Sequence, residues 1–261
     1  EGASVSSQEG QFVAANSLGF MGGCPTSRHY LACSLIAGRD DAMQREDWYS
    51  TSRNPAEIAA PEAIGDYAAR RALSRLGARK IRTCKVPVLF EAPLAASLIG
   101  NFVHAASGGS LYRQTSFLLD SLGQPVFSKA VRISERPHLP GALASSRFDN
   151  DGVATREREV VEGGILQAYF LGTYSARKLG MQSTGNAGGC HNLIVHPGEH
   201  DFAGLLRQMG RGLLVTDLLG QAQREGMIGS APIPVLAQLV LSAVVEAGMI
   251  VAHAEDPVVA R

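Results

Sequence analysis

The stretch FDNDGVATREREVVEGGILQAYF, residues 148–170, decides the fold because it holds two turn signals and two strand-like segments in close succession. The Asn-Asp-Gly triplet at 150–152 is typical of a tight turn, since these residues accept the left-handed backbone that such turns require. A polar strand follows, then a glycine pair at 163–164, then an apolar strand. Strands joined this closely run antiparallel, so the segment predicts a β-hairpin.

The first part of the chain carries a similar signal. Residues 3–37 alternate small polar and apolar side chains and are interrupted by glycines, which predicts an antiparallel meander with a turn at Gly10. Residues 41–53 form the next predicted strand. Residues 61–77 then predict a helix, because apolar side chains recur at helical spacing between a proline in the first turn and a closing glycine.

The remaining segments alternate between short strands and short helices. Residues 85–92 read as a buried strand, followed by a helix from about Pro93 to Ala106. Two further short helices are predicted at 173–180 and 200–210, each ending at a glycine. We therefore predict an α+β fold, with a large antiparallel, partly barrel-like β-sheet and a few packed helices.

Composition excludes some classes of function. The chain has 261 residues with 24 Lys plus Arg and 24 Asp plus Glu, so it lacks the positive surplus with which proteins neutralise nucleic-acid phosphates. Its four cysteines are widely spaced, without a C-x-x-C pair. That usage indicates reduced thiols rather than a disulfide-rich secreted domain, and we expect a cytoplasmic protein that does not bind nucleic acid.

The end of the chain has a different character from the rest. Residues 231–254 are almost entirely apolar over a length that could span a membrane. Gln238 and Glu246 interrupt the run, however, and a carboxylate in a bilayer is costly. We therefore predict that residues 222–261 form a divergent apolar tail, helical and buried or partner-facing, with no membrane span.

One segment could be mistaken for a zinc helix. NFVHAASGGSLYRQ, residues 101–114, carries His104, but it has no second histidine and no glutamate. A peptidase helix of the H-E-x-x-H kind needs two histidines one turn apart and a glutamate as base. A single ligand cannot hold zinc, so His104 is only a weak metal candidate.

A second cluster lies in CHNLIVHPGEH, residues 190–200. Its residue types suit zinc, but the spacing distributes them over a strand, a proline turn and the start of a helix. We predict no metal in this chain, and an active metalloenzyme that uses this cluster stays open as an alternative. The weak candidates there are Cys190, His191, His196 and His200.

Five motifs of the chain carry a resemblance to known proteins: NSLGFMGGCPTSRHYLACSLIA, ARRALSRLGARK, GGSLYRQTSFLLDSLGQ, FDNDGVATREREVVEGG and GILQAYFLGTYSARKLGMQSTGNAGG. Together they resemble the TldD/PmbA family, once called modulators of DNA gyrase, and in particular its PmbA, or TldE-like, branch. The resemblance covers residues 1–221. It implies a cytoplasmic heterodimer that acts as a metallopeptidase on unfolded peptides, with zinc held by the H-E-x-x-x-H helix of a TldD-like subunit.

The resemblance also places this chain within such a complex. Residues 101–109 correspond to the zinc helix but lack its paired histidines and its glutamate. It therefore implies a non-catalytic subunit without its own cofactor, assembled with a zinc-bearing TldD-like partner. The family's N-terminal α/β domain would precede Glu1, so we expect this sequence to be a fragment, with residues 1–221 forming the central and C-terminal β domain.

The loop STGNAGG, residues 183–189, lacks the lysine of a P-loop. Two readings remain open for it: a loop whose donors line a peptide cleft, or a plain turn. We predict the first, and the alternative function is a peptide-binding or scaffolding protein without peptidase activity. The predicted peptide-cleft residues are Tyr112, Arg113, Ser175, Arg177, Lys178, Thr184, Gly185, Asn186 and Gly188.

Overall fold

The computed structural model describes residues 1–82, 84 and 86–217. The chain divides into two compact units, residues 1–84 with 139–145 in unit 1, and residues 85–138 with those from 146 onward in unit 2. The predicted tail at 222–261 lies outside the described residues, so its helical character stays a prediction. Every helix in the described part of the chain is too short or too polar to cross a membrane.

Unit 1 is built on an antiparallel meander, as predicted. Its strands are β1 (Gly2–Ala15), β2 (Met21–Ala37) and β3 (Gln44–Ser52), in that spatial order. The predicted turn at Gly10 is wrong, since β1 runs through it and Gly10 pairs with Thr26. The chain reverses instead at Asn16, whose side-chain oxygen accepts hydrogen bonds from two backbone N–H groups of the turn, those of Leu18 and Phe20.

Helix α1 (Pro61–Ser74) covers one face of this sheet. Its residues Ile64, Ala68 and Ala72 are buried, and they recur at the spacing of a single helical face. An ion pair fastens the helix to β3, where Glu46 accepts from the guanidinium groups of Arg71 and Arg75.

Unit 2 contains two small sheets and four helices among the described residues. The elements of unit 2 are β4 (Val88–Phe90), α2 (Ala92–Ala105), α3 (Gly108–Tyr112), β5 (Ile133–Glu135), β6 (Arg158–Glu162), β7 (Ile165–Leu166), α4 (Thr173–Lys178), β8 (Leu193–Val195), α5 (Phe202–Met209) and β9 (Leu213–Val215). Strands β7, β6, β5 and β8 form an antiparallel sheet in that order, and β4 pairs in parallel with β9. The α+β prediction is confirmed, although the strands are divided among three sheets.

The core of unit 2 lies where α2 packs on side chains from β5, β6 and β7. The buried face of α2 includes Leu98 and Phe102, and the ring of Phe102 meets that of Phe127 edge to face with their centroids 5.0 Å apart. His104 lies on the exposed face of the same helix. One face of α2 is therefore buried in the core, and this packing fixes the position of α2 relative to β5, β6 and β7.

The hairpin predicted from residues 148–170 is confirmed. Asp149 closes its first turn, because one carboxylate oxygen accepts from the backbone N–H groups of Asp151 and Val153. Gly163 and Gly164 connect β6 to β7 with positive φ angles of 56° and 78°. A side chain at Gly164 would lie 2.3 Å from the carbonyl oxygen of Phe127, so the position requires glycine both for its conformation and for space.

Candidate functional site

An open groove in unit 2 runs between α2 and the segment that contains β8. Its volume is about 800 Å³, and most of its lining is apolar. The helix contributes small residues, Ala96 and Gly100, beside Ile99 and Val103, which recur on one face and leave the space open. The opposite wall is Cys190, Leu193, Ile194, Val195, Pro197, Gly198, Glu199, His200 and Asp201.

Strand β8 forms an edge of its sheet in the described part of the chain. The backbone N–H of His196 donates to the carbonyl of Arg132, and the backbone N–H of Arg136 donates to the carbonyl of Asn192. The even-numbered residues in and beside β8 therefore turn their backbone groups toward β5. Successive residues of an antiparallel strand turn their backbone groups to opposite sides. The N–H and C=O groups of Leu193 and Val195 therefore point away from β5, where an extended ligand could add as a further strand.

A buried ionic network supports the wall that carries β8. Glu135, 1% exposed, accepts from Arg158 Nε at 2.7 Å and from the backbone N–H of His191 at 2.7 Å. Asn186 Nδ2 donates to the same carboxylate at 2.8 Å, and Arg158 Nη1 donates to the carbonyl of Tyr169 at 2.8 Å. One carboxylate thus joins β5, β6 and the loop that leads into β8.

The network keeps Glu135 ionised. Burial by itself would raise the pKa of this carboxyl group. The hydrogen bonds from His191 and the charge of Arg158 outweigh that effect, so the pKa lies below its ordinary value. A buried carboxylate with this set of partners is held in one position, and the loop that supplies the donors is held with it.

Sequence reasoning missed both Glu135 and Arg158, although one signal was present. Side chains two apart on a strand share a face, and Arg158 is two residues from the buried Val160, as Glu135 is from the buried Ile133. A charged side chain on the same strand face as buried apolar side chains indicates a buried ion pair, because burying an unpaired charge costs too much free energy.

Four of the predicted peptide-cleft residues belong to the 183–189 loop, where Gly185 and Asn186 are buried, Thr184 is half-buried and Gly188 is exposed. Asn186 is 5% exposed, and both ends of its amide are bonded, to Glu135 and to Arg158 Nη2. The hydroxyl group of Thr184 donates to Asn186 Oδ1 at 2.7 Å. Gly185 and Gly188 have positive φ angles, and a side chain at Gly188 would lie 2.3 Å from the amide nitrogen of Asn150.

The other five predicted cleft residues lie on α3 and α4 or directly after α3. Tyr112, Arg113, Ser175, Arg177 and Lys178 come together because α3 and α4 pack closely at Gly108, where a side chain would clash with Ser175. None of the nine predicted cleft residues lines the groove between α2 and β8. The nine residues therefore lie outside this groove, and their role as peptide-cleft residues stays a prediction.

The weak metal candidates face different partners. His196 Nε2 lies 2.8 Å from Ser134 Oγ, His191 Nδ1 lies 3.2 Å from Glu135 Oε1, and His104 Nε2 lies 3.5 Å from Ser110 Oγ. Cys190 and His200 line the groove. Within residues 1–82, 84 and 86–217, no three His, Cys, Asp or Glu side chains converge on a possible metal position.

The donor set on α2 does not fit a zinc ion, since His104 has no second histidine or carboxylate on its helix. The thiol of Cys190 is also a poor ligand as it stands. Burial, and then the charge of Glu135, raise the pKa of this thiol above its ordinary value, so the thiolate that binds metals is disfavoured.

Comparison with protein families matches almost the whole described chain. Residues 1–76 match the PmbA/TldA metallopeptidase central domain, and residues 83–233 match the PmbA/TldA metallopeptidase C-terminal domain. The groove and the ionic network lie within the second match.

Individual relatives agree with this assignment. The chain is 48% identical to the metalloprotease PmbA homolog of Haemophilus influenzae and 44% identical to the metalloprotease PmbA of Escherichia coli, each over 221 residues. These alignments cover 84% and 85% of this chain and 49% of each relative, so the chain spans about half the length of the curated relatives it matches.

A solved structure has a similar fold. A Bacteroides thetaiotaomicron protein, described as a suspected modulator of DNA gyrase, superposes with a TM-score of 0.79 at 28% identity. The superposition covers 84% of this chain and 49% of that protein.

Proposed function

This chain belongs to the PmbA/TldD metallopeptidase family, and on that premise we propose that it is the zinc-lacking subunit of a peptidase complex that degrades or processes unfolded peptides. Its partner would be a TldD-like subunit, which supplies the zinc ion and its catalytic chemistry. This chain would capture the peptide and present it in an extended conformation.

The groove between α2 and β8 is the single observation that carries the proposal. One wall is α2, whose last turn falls within residues 101–109, the stretch that the resemblance matches to the family's zinc helix and that has no metal-binding set here; the other wall ends in an edge strand. An unfolded peptide needs partners for its own N–H and C=O groups, and Leu193 and Val195 offer both kinds.

The lining of the groove also suits extended peptides of many different sequences. Backbone pairing with β8 does not depend on the side chains of the bound peptide, and the apolar surface of Ile99, Val103 and Leu193 accepts hydrophobic groups that a folded protein would bury. Such a site distinguishes extended chains from folded ones rather than one sequence from another.

Co-expression with a TldD-like subunit tests the proposal. We expect one complex on size-exclusion chromatography, zinc in the partner alone, and cleavage of an unfolded casein-type substrate only by the complex. Gly100→Leu should reduce both capture and cleavage, because its new side chain meets no protein atom within 4 Å of its Cβ and so projects into the groove.

Gly65→Leu on α1 is the matched control, since a side chain there also meets nothing within 4 Å of its Cβ but lies outside the groove. Peptide capture that persists without any cleavage in the complex would favour the alternative of a peptide-binding or scaffolding protein. Stoichiometric zinc in this chain, lost on His191→Ala or His196→Ala, would contradict the proposal.

A further inference from the structure

On the surface formed by α3 and α4, two adjacent aromatic rings lie between two cations. Arg113 Cζ lies 5.4 Å from the ring centroid of Tyr112, and Lys178 Nζ lies 5.6 Å from that of Tyr174. The two rings meet edge to face, with centroids 5.7 Å apart and an interplanar angle of 81°. We call these four side chains, Arg113, Tyr112, Tyr174 and Lys178, the cation–tyrosine ladder.

Two glycines determine the geometry of the ladder. A side chain at Gly108 would lie 2.2 Å from Ser175 Oγ, so glycine there lets α3 approach α4 closely enough for the rings to meet. A side chain at Gly109 would lie 3.3 Å from Arg113 Nη2, so glycine there leaves room for the guanidinium group to fold back over Tyr112. The ladder is therefore pre-organised by backbone packing, although Tyr174 is 60% exposed.

The cations of this surface differ in their pairing from three of the arginines of unit 2. Arg132, Arg136 and Arg158 form ion pairs with Glu159 or Glu135. By contrast, no ion pair within the described residues involves Arg113, Arg177 or Lys178.

The two sequence segments that carry this surface contain no carboxylate of their own. Residues 92–119 contain no Asp or Glu, and neither do residues 163–198. The carboxylate that contacts the start of α4 is that of Asp151, and it accepts a hydrogen bond from the backbone N–H of Thr173. Three exposed cations and two rings therefore present a positive, aromatic face.

We propose that the cation–tyrosine ladder, together with Arg177, binds an acidic segment of the peptide substrate. The proposal rests on the proposed function and names the class of peptide that the chain prefers. Two cations held apart by two rings match carboxylates spaced along an extended chain, and the tyrosines supply contact area at low entropic cost.

The same geometry disfavours a nucleic acid as the occupant. Binding of single strands uses open ring faces on which bases stack, whereas here one face of each ring already carries a cation and the rings are nearly perpendicular. The chain as a whole also has balanced charge.

Fluorescence anisotropy with two labelled unstructured peptides tests the proposal. One peptide carries several glutamates, and the other has glutamine at the same positions. We expect the 261-residue chain to bind the acidic peptide about tenfold more tightly, since each exposed ion pair contributes up to about fivefold. The preference should disappear at about 1 M salt, where charges are screened within about 3 Å.

Variants locate the preference. Arg113→Gln with Lys178→Gln should remove it, and Tyr174→Ala should weaken it while Tyr174→Phe retains it, because phenylalanine keeps the ring. Lys129→Gln, which removes an exposed cation elsewhere in unit 2, should change nothing.

Each other outcome overturns the proposal in a recognisable way. If both peptides bind equally and Gly100→Leu abolishes that binding, the ladder does not select acidic peptides, and the proposed function of the groove still holds. Failure of the chain and of its complex to bind either peptide would refute both. Tighter binding of a single-stranded oligonucleotide at the ladder would show that nucleic acid is its partner.

Discussion

Replacing Arg158 by methionine should destabilise unit 2 more than any surface change of the same kind. Methionine keeps much of the length of the side chain but removes its charge and its donors. The carboxylate of Glu135, whose side chain is 2% exposed, would then remain buried without its main countercharge. Arg158 Nη2 would also be lost as a donor to Asn186 Oδ1, at 2.8 Å in the intact protein.

The expected cost is about 3–5 kcal/mol, which is the range for breaking a buried ion pair by removing one partner. In a domain of this size that cost corresponds to a fall of roughly 10 °C in the unfolding midpoint. The matched control is Arg132→Met, which removes a guanidinium that is 49% exposed and pairs with Glu159, and it should cost no more than about 1 kcal/mol.

Urea unfolding followed by far-ultraviolet circular dichroism measures the loss. Fluorescence of Trp48, the only tryptophan, serves as an internal reference because it lies in unit 1. Adding Glu135→Gln to Arg158→Met should recover part of the stability, since the unpaired charge is then gone. If Arg158→Met costs no more than Arg132→Met, the network does not support the groove wall and the reasoning fails.

Three further predictions concern single groups. The pKa of Glu135 is lowered in the folded chain. The contribution of this carboxylate to the free energy of unfolding is therefore present above the unfolded pKa of about 4.3 and is lost as the pH falls through the folded value. When unfolding is measured at decreasing pH, the free energy of unfolding should change less for Glu135→Gln than for the wild type. Gly188→Ala should cost about 2 kcal/mol or more in thermal unfolding, because φ is +99° and the methyl group meets Asn150, whereas Gly65→Ala in α1 should be neutral or stabilising. Burial raises the pKa of the Cys190 thiol, so alkylation by iodoacetamide at pH 8 should be slower at Cys190 than at the exposed Cys84, and equal rates would contradict the assignment.

Local signals in the sequence predicted much of the fold. The turns at 150–152 and 163–164 follow from residues that accept unusual backbone angles. The helix predicted at 200–210 is α5, and Asp201 caps it by accepting from the backbone N–H of Gly204. The prediction of a turn at Gly10 was wrong because glycine permits a turn without requiring one, and an extended strand such as β1 tolerates glycine. The short helix α3 was missed because a pair of glycines reads as a break when the packing partner, Ser175, is unknown.

The candidate site depended on contacts that the sequence does not display. Glu135 and Arg158 are 23 positions apart, and the groove joins α2 to residues near 195. Periodicity can place a residue on a face but cannot identify the element that the face meets. For that reason the family resemblance could indicate residues 101–109 as a stretch of interest. Only the structure shows that β8 is an edge strand and that the cation–tyrosine ladder lies apart from the groove.

The ion pairs of Glu135 and Glu159 place different limits on how this sequence can change by mutation. A change at Glu135 alone leaves the guanidinium of Arg158 buried with a lost partner, and a change at Arg158 alone leaves the carboxylate unmatched, so each single step passes through an unstable ancestor. Glu159, with two guanidinium groups nearer to solvent, tolerates replacement of either one first. Related sequences should therefore replace Arg132 or Arg136 one at a time, but should replace Glu135 and Arg158 only together.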